Sequence, residues 1–228
     1  MTQTWYDLLF VHWPIDASSL RSLVPSFLEI DTFDQTAWIG VIPLGMRNIH
    51  FKNLPPIPFT SRFLELNVRT YVRSGEKRGV YFFSLDAANP LAVEVARGCY
   101  YLPYFNARMT HSCKGEDIVY KSERTDHRGR PGVFDASYRP IAEPQLTGKG
   151  SIEEFLTERY RLFTSTKTGE PLIAEIHHKQ WALQVAQAEI RSNSMTEALG
   201  IKLPDVAPLL HFAKELETLE WAIERVGN

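Results

Sequence analysis

The feature that most constrains the fold is a strict alternation of apolar and polar side chains in residues 63–73 (FLELNVRTYVR). One set of alternate positions holds Leu64, Leu66, Val68, Thr70 and Val72, and the other holds Glu65, Asn67, Arg69, Tyr71 and Arg73. A period of two residues is that of a β-strand. Because residues 74–77 (SGEK) have turn composition and residues 80–85 (VYFFSL) are apolar, the sequence predicts a β-hairpin here.

Short strands with turns between them are predicted along most of the remaining chain. The predicted strands cover residues 5–13, 37–44, 104–112, 118–123, 132–139, 160–166, 172–190 with a break near Trp181, 209–212 and 219–223. Residues 53–59 hold three prolines and are predicted to form an irregular loop.

Helices are few and short in this prediction. One begins at Asp16 or Ser18, one near Asn89 or Pro90, and one after Ser151, with a further helical turn at 196–199. We therefore expect an α+β fold in one domain over residues 1–228, mainly an antiparallel β-barrel or paired sheets with a few short helices.

Composition excludes several classes of function. The 25 basic and 27 acidic residues give a net charge of −2 without a basic stripe, so no nucleic-acid partner is expected. No apolar run approaches the ~20 residues that span a bilayer, and the first residues lack a signal-peptide pattern. The expectation is a cytoplasmic protein with no membrane partner, and these patterns specify no oligomeric state.

Metal and cofactor motifs are missing from the sequence. There is no H-x-H, HExxH or C-x-x-C pattern, and neighbouring His177 and His178 would point to opposite faces of a strand. Nucleotide-binding loops and the G-x-S-x-G nucleophile motif are missing too. Cys99 is expected to be a buried apolar residue and Cys113 to lie in a strand. We expect no metal and no cofactor.

Several segments are similar to the YqjF-like family of bacterial proteins, whose function is not established. They are LFVHWPI at 9–15, ELNVRTYV at 65–72, GVYFFSLDA at 79–87, ARGCYYLPYFNARM at 96–109, HKQWALQVAQAEI at 178–190 and PLLHF at 208–212. That family is placed among relatives of acetoacetate decarboxylase. The resemblance implies a closed, largely antiparallel barrel that encloses a ligand cavity.

The resemblance to the decarboxylase does not include its reactive lysine. That enzyme forms a Schiff base through a lysine of lowered pKa. In the matching run, which starts at Arg97 and reaches Pro103, Tyr104 and Phe105 stand where the lysines would be. Neither side chain can form an imine, so the resemblance implies the scaffold without Schiff-base decarboxylation. Glu65 matches the glutamate of the relative's cavity.

The polar face of residues 63–73 supplies the first candidate ligand-binding residues. If its aliphatic face packs outward, Glu65, Asn67 and Arg69 point into a barrel cavity. The alternative is that this face is the solvent side of an ordinary sheet, with Glu65 and Arg69 as a weak surface pair.

Six further residues complete the candidates. Tyr104, Asn106 and Arg108 alternate on the strand after Pro103, while Arg97 ends a predicted helix, where a cation is favoured without any ligand. His12 and His178 are included, although a lone histidine is more often a satisfied core residue.

Two functions remain open at this stage. One is a protein that binds a small acidic or carbonyl-bearing molecule in a barrel cavity, with Arg69 or Arg108 holding the ligand and Glu65 and Tyr104 exchanging protons. The other is a structural or interaction domain whose barrel is filled with side chains.

Overall fold

The computed structural model describes residues 1–50 and 61–226, and these are mostly β-strand. The strands are β1 (Thr2–Ile15), β2 (Glu29–Ile30), β3 (Ala37–His50), β4 (Arg62–Ser74), β5 (Lys77–Ala87), β6 (Tyr104–Lys114), β7 (Asp117–Arg124), β8 (Val133–Pro140), β9 (Gln145–Leu146), β10 (Arg161–Ser165), β11 (Pro171–His178), β12 (Ala182–Asn193), β13 (Leu209–Glu220) and β14 (Glu224–Arg225). The helices are α1 (Ala17–Arg21), α2 (Pro90–Cys99) and α3 (Ile152–Thr157), with a 3₁₀ turn at Glu197–Leu199.

Most predicted elements are present, with shifted ends. The hairpin is β4 and β5, and the predicted break near Trp181 separates β11 from β12. The predicted pair of strands at 209–212 and 219–223 is wrong, because one continuous strand, β13, runs from Leu209 to Glu220. The proline-rich loop predicted at 53–59 lies outside the described residues.

The helices follow from local signals. Asn89 caps α2 by accepting a hydrogen bond from the Ala92 amide, and a proline occupies the first turn. Ser151 caps α3 by accepting from the Glu154 amide. Cys99 ends α2 exposed, so its prediction as a buried residue is wrong. None of the helices in the described ranges has the length and apolar character needed to cross a membrane.

Pairing between strands produces a ring. The order β5-β10-β11-β13-β1-β3-β4 returns to β5 through the β4–β5 hairpin, so these strands are linked side by side without a break. A second path from β5 to β13 runs through β6, β7, β8 and β12. Most pairs are antiparallel, whereas β5 pairs in parallel with β10 and β6.

The two faces of β4 contact different surroundings. Leu66, Val68 and Val72 lie in the largest apolar core, together with Tyr120 of β7 and Phe134 of β8. The opposite face of β4 points into the ring formed by β5, β10, β11, β13, β1 and β3. The alternation in residues 63–73 is therefore that of a strand buried on both faces, one against apolar residues and one against a cavity.

Candidate functional site

A cavity of about 250 Å³ lies inside the ring of paired strands. Its wall is mostly aliphatic and aromatic, with contributions from β1, β3, β4, β5, β10, β11 and α2. Leu91, Val95 and Trp221 line the cavity although they are about half exposed, so they mark its opening.

Strand β4 places three of the predicted residues on this wall. Glu65, Asn67 and Arg69 all line the cavity and are all buried. The prediction that these side chains point inward is confirmed, and the alternative that they face solvent is wrong. Their spacing of two residues puts them in a row on one face of the strand.

Glu65 forms the polar centre of the cavity with Tyr104. The Tyr104 hydroxyl donates to Glu65 Oε2 over 2.6 Å. Burial raises the pKa of Glu65 to about 7, against the opposing effect of the hydrogen bond from Tyr104. Burial also raises the pKa of Tyr104 well above its ordinary value. Glu65 can thus give or take a proton near neutral pH.

Arg69 lies in the cavity wall without a carboxylate partner among the described residues. Its Nη2 donates to the Leu156 carbonyl over 3.2 Å, and its guanidinium lies 5.7 Å from the ring centres of Phe10 and Tyr71. The buried Nε has no hydrogen-bond partner there. The weak pair of Glu65 and Arg69 predicted for a solvent-facing strand is not formed, and Glu65 bonds to Tyr104 instead.

Other polar atoms on the wall also lack partners within the described ranges. They are Gln3 Oε1, Asn67 Oδ1 and Trp181 Nε1, all buried. Buried polar groups are normally hydrogen-bonded, and a cluster of unpaired ones around a cavity is typical of a site where a ligand or water supplies the bonds.

Arg108 and Asn106 lie away from the cavity, which corrects their prediction as ligand-binding residues. The Arg108 side chain is 74% exposed and pairs with Glu123 over 3.4 Å. Asn106 donates to Asp126 through its backbone and its side chain. The reason is that β6 pairs with β5 only from Tyr104 to Asn106 and then continues beside β7, outside the ring.

Arg97 and the two histidines are not among the residues that line the cavity. Arg97 Nη1 donates to the Tyr104 carbonyl over 2.6 Å, which holds the start of β6 in place. His12 Nε2 bonds to the Tyr71 hydroxyl over 2.6 Å, and burial together with the charge of Arg69 lowers the pKa of His12. His178 stacks on Tyr160 with 4.5 Å between ring centres.

Sequence reasoning missed Gln3, Trp181 and Glu220 as wall residues. The cavity-facing positions of β1 change from odd to even numbers along the strand: first Gln3 and Trp5, then Leu8 and Phe10. The change occurs because the pairing of β1 with β3 shifts between Tyr6 and Val11. A bulge of this kind changes the phase of the alternation.

Glu220 lies at the end of β13, and burial raises its pKa to about 7. An acidic residue that ends a strand gives no sequence signal for burial.

Solved structures with this arrangement define the class of fold. An acetoacetate decarboxylase-like enzyme from Sphingomonas wittichii RW1 is similar with a TM-score of 0.65 and 12% identity, over 99% of this chain and 92% of that one. Acetoacetate decarboxylase gives a TM-score of 0.63 and 13% identity, over 99% and 89% of the two chains. The enduracididine biosynthesis enzyme MppR, solved with pyruvate, gives 0.65 and 9% identity over 98% and 89%. The fold is acetoacetate decarboxylase-like.

Within that fold class the family is shown by sequence. The model of DUF2071, described as an uncharacterized conserved protein, matches residues 2–217. The uncharacterized protein YqjF of Bacillus subtilis (strain 168) is 48% identical over 225 residues, which cover 99% of this chain and 92% of that protein. The chain belongs to the DUF2071 family, and the resemblance to YqjF-like proteins is confirmed.

Proposed function

We propose that this protein binds a small organic acid that also carries a carbonyl group and an apolar body, in the cavity inside its strand ring. The observation that carries the proposal is Arg69, a buried arginine that faces the cavity without a carboxylate partner among the described residues. A buried cation is costly unless it is paired, and a guanidinium suits a carboxylate through parallel hydrogen bonds.

The polar groups next to Arg69 suit a carbonyl or hydroxyl group on the same ligand. The unpaired Asn67 Oδ1 can accept a hydrogen bond, and Glu65 with its pKa of about 7 can donate or accept a proton. Tyr104 adds a hydroxyl that is already oriented by Glu65. This chemistry allows proton transfer at a carbonyl compound as well as binding.

The apolar wall favours a ligand with a hydrocarbon part that points toward the opening. Leu91 and Val95 of α2 and Trp221 form that opening, so a chain longer than the cavity can extend between them. MppR, which shares the fold, has been solved with pyruvate, an acid with an adjacent carbonyl. The proposed ligand belongs to that chemical class.

The ring of strands is proposed to close as a barrel around this ligand, without imine chemistry. The described lining residues include no lysine. The sequence resemblance implies that Tyr104 stands where the decarboxylases carry their reactive lysine. The rival function, a structural domain with a filled interior, has less support because an open cavity with unpaired polar atoms lies inside the ring.

A calorimetric titration with 2-oxohexanoate tests the proposal. We expect saturable binding at one site, and weaker or no binding of hexanamide, which has no charge to pair with Arg69. Arg69→Met should weaken 2-oxohexanoate binding by about tenfold or more, as expected for loss of a charged hydrogen-bonding group. Arg108→Met is the matched control, because that arginine is exposed and should leave binding unchanged. Equal affinities of the Arg69→Met and Arg108→Met variants would refute the role of Arg69.

A further inference from the structure

A second cluster of reactive side chains lies between β1 and β6 and shares no residue with the cavity wall. Asp7, His111 and Cys113 each offer one ligand atom, and these three atoms lie within 4.8 Å of one another. Asp7 comes from β1, whereas His111 and Cys113 are two residues apart on β6 and so share one face. From this geometry we infer that the three side chains bind a transition-metal ion of the zinc type.

The distances suit such an ion. His111 Nε2 lies 3.1 Å from Asp7 Oδ2. Two ligands that each bind zinc at about 2.0 Å in a tetrahedral site are about 3.3 Å apart. The sulfur of Cys113 binds at about 2.3 Å and needs a small rotation to close the triangle, which an exposed cysteine permits.

The His111 ring is held in place by its neighbours, whereas its Nε2 has no hydrogen-bond partner among the described residues. Its Nε2 is buried and makes no hydrogen bond of acceptable geometry with any described residue, although Asp7 Oδ2 is close by. The rings of Tyr6 and Tyr120 contact the imidazole edge-on, with centres 5.8 and 6.2 Å away. These rings hold the imidazole in place while its nitrogen points into the space shared with Asp7 and Cys113.

The backbone of Asp7 is held in an unusual conformation at the same place. Asp7 has a φ of +50°, which non-glycine residues rarely adopt, and the Tyr138 hydroxyl donates to its carbonyl over 2.8 Å. Residues kept in such conformations cluster at functional sites. This conformation belongs to the bulge that turns the Asp7 side chain toward β6.

Lys214 is the outer partner of the Asp7 carboxylate. Its Nζ contacts Asp7 Oδ1 over 2.6 Å, which leaves Oδ2 for the metal. A divalent ion is neutralised by one carboxylate and one thiolate, so binding releases the thiol proton of Cys113 to solvent. The exposed Lys214 then acts as an outer partner that orients the carboxylate.

The sequence alone does not reveal this set. His111 and Cys113 form an H-x-C pair, and their third partner lies on a strand at the start of the chain. Only the approach of β1 and β6 brings Asp7 to the pair. The set provides three protein ligands and an open fourth position, which is the arrangement of zinc sites that keep a bound water.

The test is a titration of the chelator-treated full chain with Co(II), followed through the thiolate-to-cobalt charge-transfer absorption. We expect that band to saturate at one equivalent and to disappear when Zn(II) is added. Cys113→Ser should abolish the band and weaken Zn(II) affinity by more than the roughly 10–100-fold expected for loss of an outer partner. Cys113 is exposed, so this variant is expected to fold.

Cys99→Ser is the matched control, because Cys99 is also exposed but ends α2, outside the cluster. It should keep the full band. His111→Gln should weaken Co(II) binding as well. A wild-type chain that gives no charge-transfer band with Co(II), or a band that survives Cys113→Ser, would overturn the inference. This experiment is independent of ligand binding in the cavity.

Discussion

At the scale of single residues, Glu65 and Glu220 are the two carboxyl groups of the cavity wall whose pKa is raised to about 7, and Glu65 is the one that lies beside Tyr104. Its pKa rises from an ordinary value of 4.5 to about 7 because the carboxyl group is buried. A raised pKa means that the folded protein holds the proton more tightly than the unfolded chain. The corresponding stability is fully present below pH 4.5 and is lost as the pH rises through 7.

Glu65→Gln should remove the pH dependence of stability that Glu65 contributes. The shift corresponds to about 3 kcal/mol. Relative to the wild type, the variant should therefore gain about that much free energy of unfolding between pH 4.5 and 7.5. Urea unfolding at a series of pH values measures it. Glu123→Gln, at a position that is 58% exposed, is the control and should follow the wild type. A Glu65→Gln chain that also follows the wild type would show that Glu65 is ionised in the folded state.

Arg69 is expected to contribute to ligand binding and not to the stability of the fold. A buried charge without a counter-charge costs free energy, and replacing it by an apolar side chain is often neutral or stabilising. We expect Arg69→Met to keep the free energy of unfolding within about 1 kcal/mol of the wild type, or to raise it. Denaturant unfolding without ligand measures this. A loss of ~3–5 kcal/mol would mean that Arg69 belongs to a buried ion pair.

At the scale of elements, the sequence predicted β4 well because its alternation is unbroken and both of its faces are buried. The same reasoning failed on β6. Tyr104 faces the cavity as predicted, but Arg108 does not, since β6 leaves β5 after Asn106. Alternation gives the relative direction of side chains along one strand, and only the pairing of strands determines what each face contacts.

A buried ion pair holds β5 to β7, and no sequence pattern predicts it. Arg124 donates to Asp86 through Nε over 2.9 Å and Nη2 over 2.6 Å, and both side chains are almost fully buried. Its guanidinium also lies 4.2 Å from the centre of the Phe105 ring. Charged residues on two strands separated by β6 and α2 form no pattern that a single sequence can reveal.

Arg124→Met should reduce the free energy of unfolding by ~3–5 kcal/mol, because it leaves the Asp86 carboxylate buried without its partner. Thermal or denaturant unfolding provides the measurement. Arg108→Met on the neighbouring strand is the matched control and should cost less than about 1 kcal/mol, since its pair is exposed. Similar losses in the two variants would contradict the structural role of the Arg124 pair.

At the scale of the whole molecule, the acetoacetate decarboxylase-like fold encloses a cavity whose described lining residues include no lysine. Treatment with acetoacetate and borohydride should leave the mass of the protein unchanged, because the described lining residues of the cavity include no lysine and the Tyr104 hydroxyl cannot form an imine. Intact-mass spectrometry measures this, with an acetoacetate decarboxylase as the positive control. A trapped adduct on any lysine would mean that another residue performs the imine chemistry.

The central claim is that an organic acid binds through Arg69 inside the strand ring, and a crystal structure with 2-oxohexanoate tests it most directly. We predict that the carboxylate lies within hydrogen-bonding distance of the Arg69 guanidinium. The carbonyl should face Glu65 and Tyr104, and the hydrocarbon chain should point toward Leu91 and Trp221. A ligand bound outside the cavity, or one whose carboxylate points toward the opening and away from Arg69, would contradict the account.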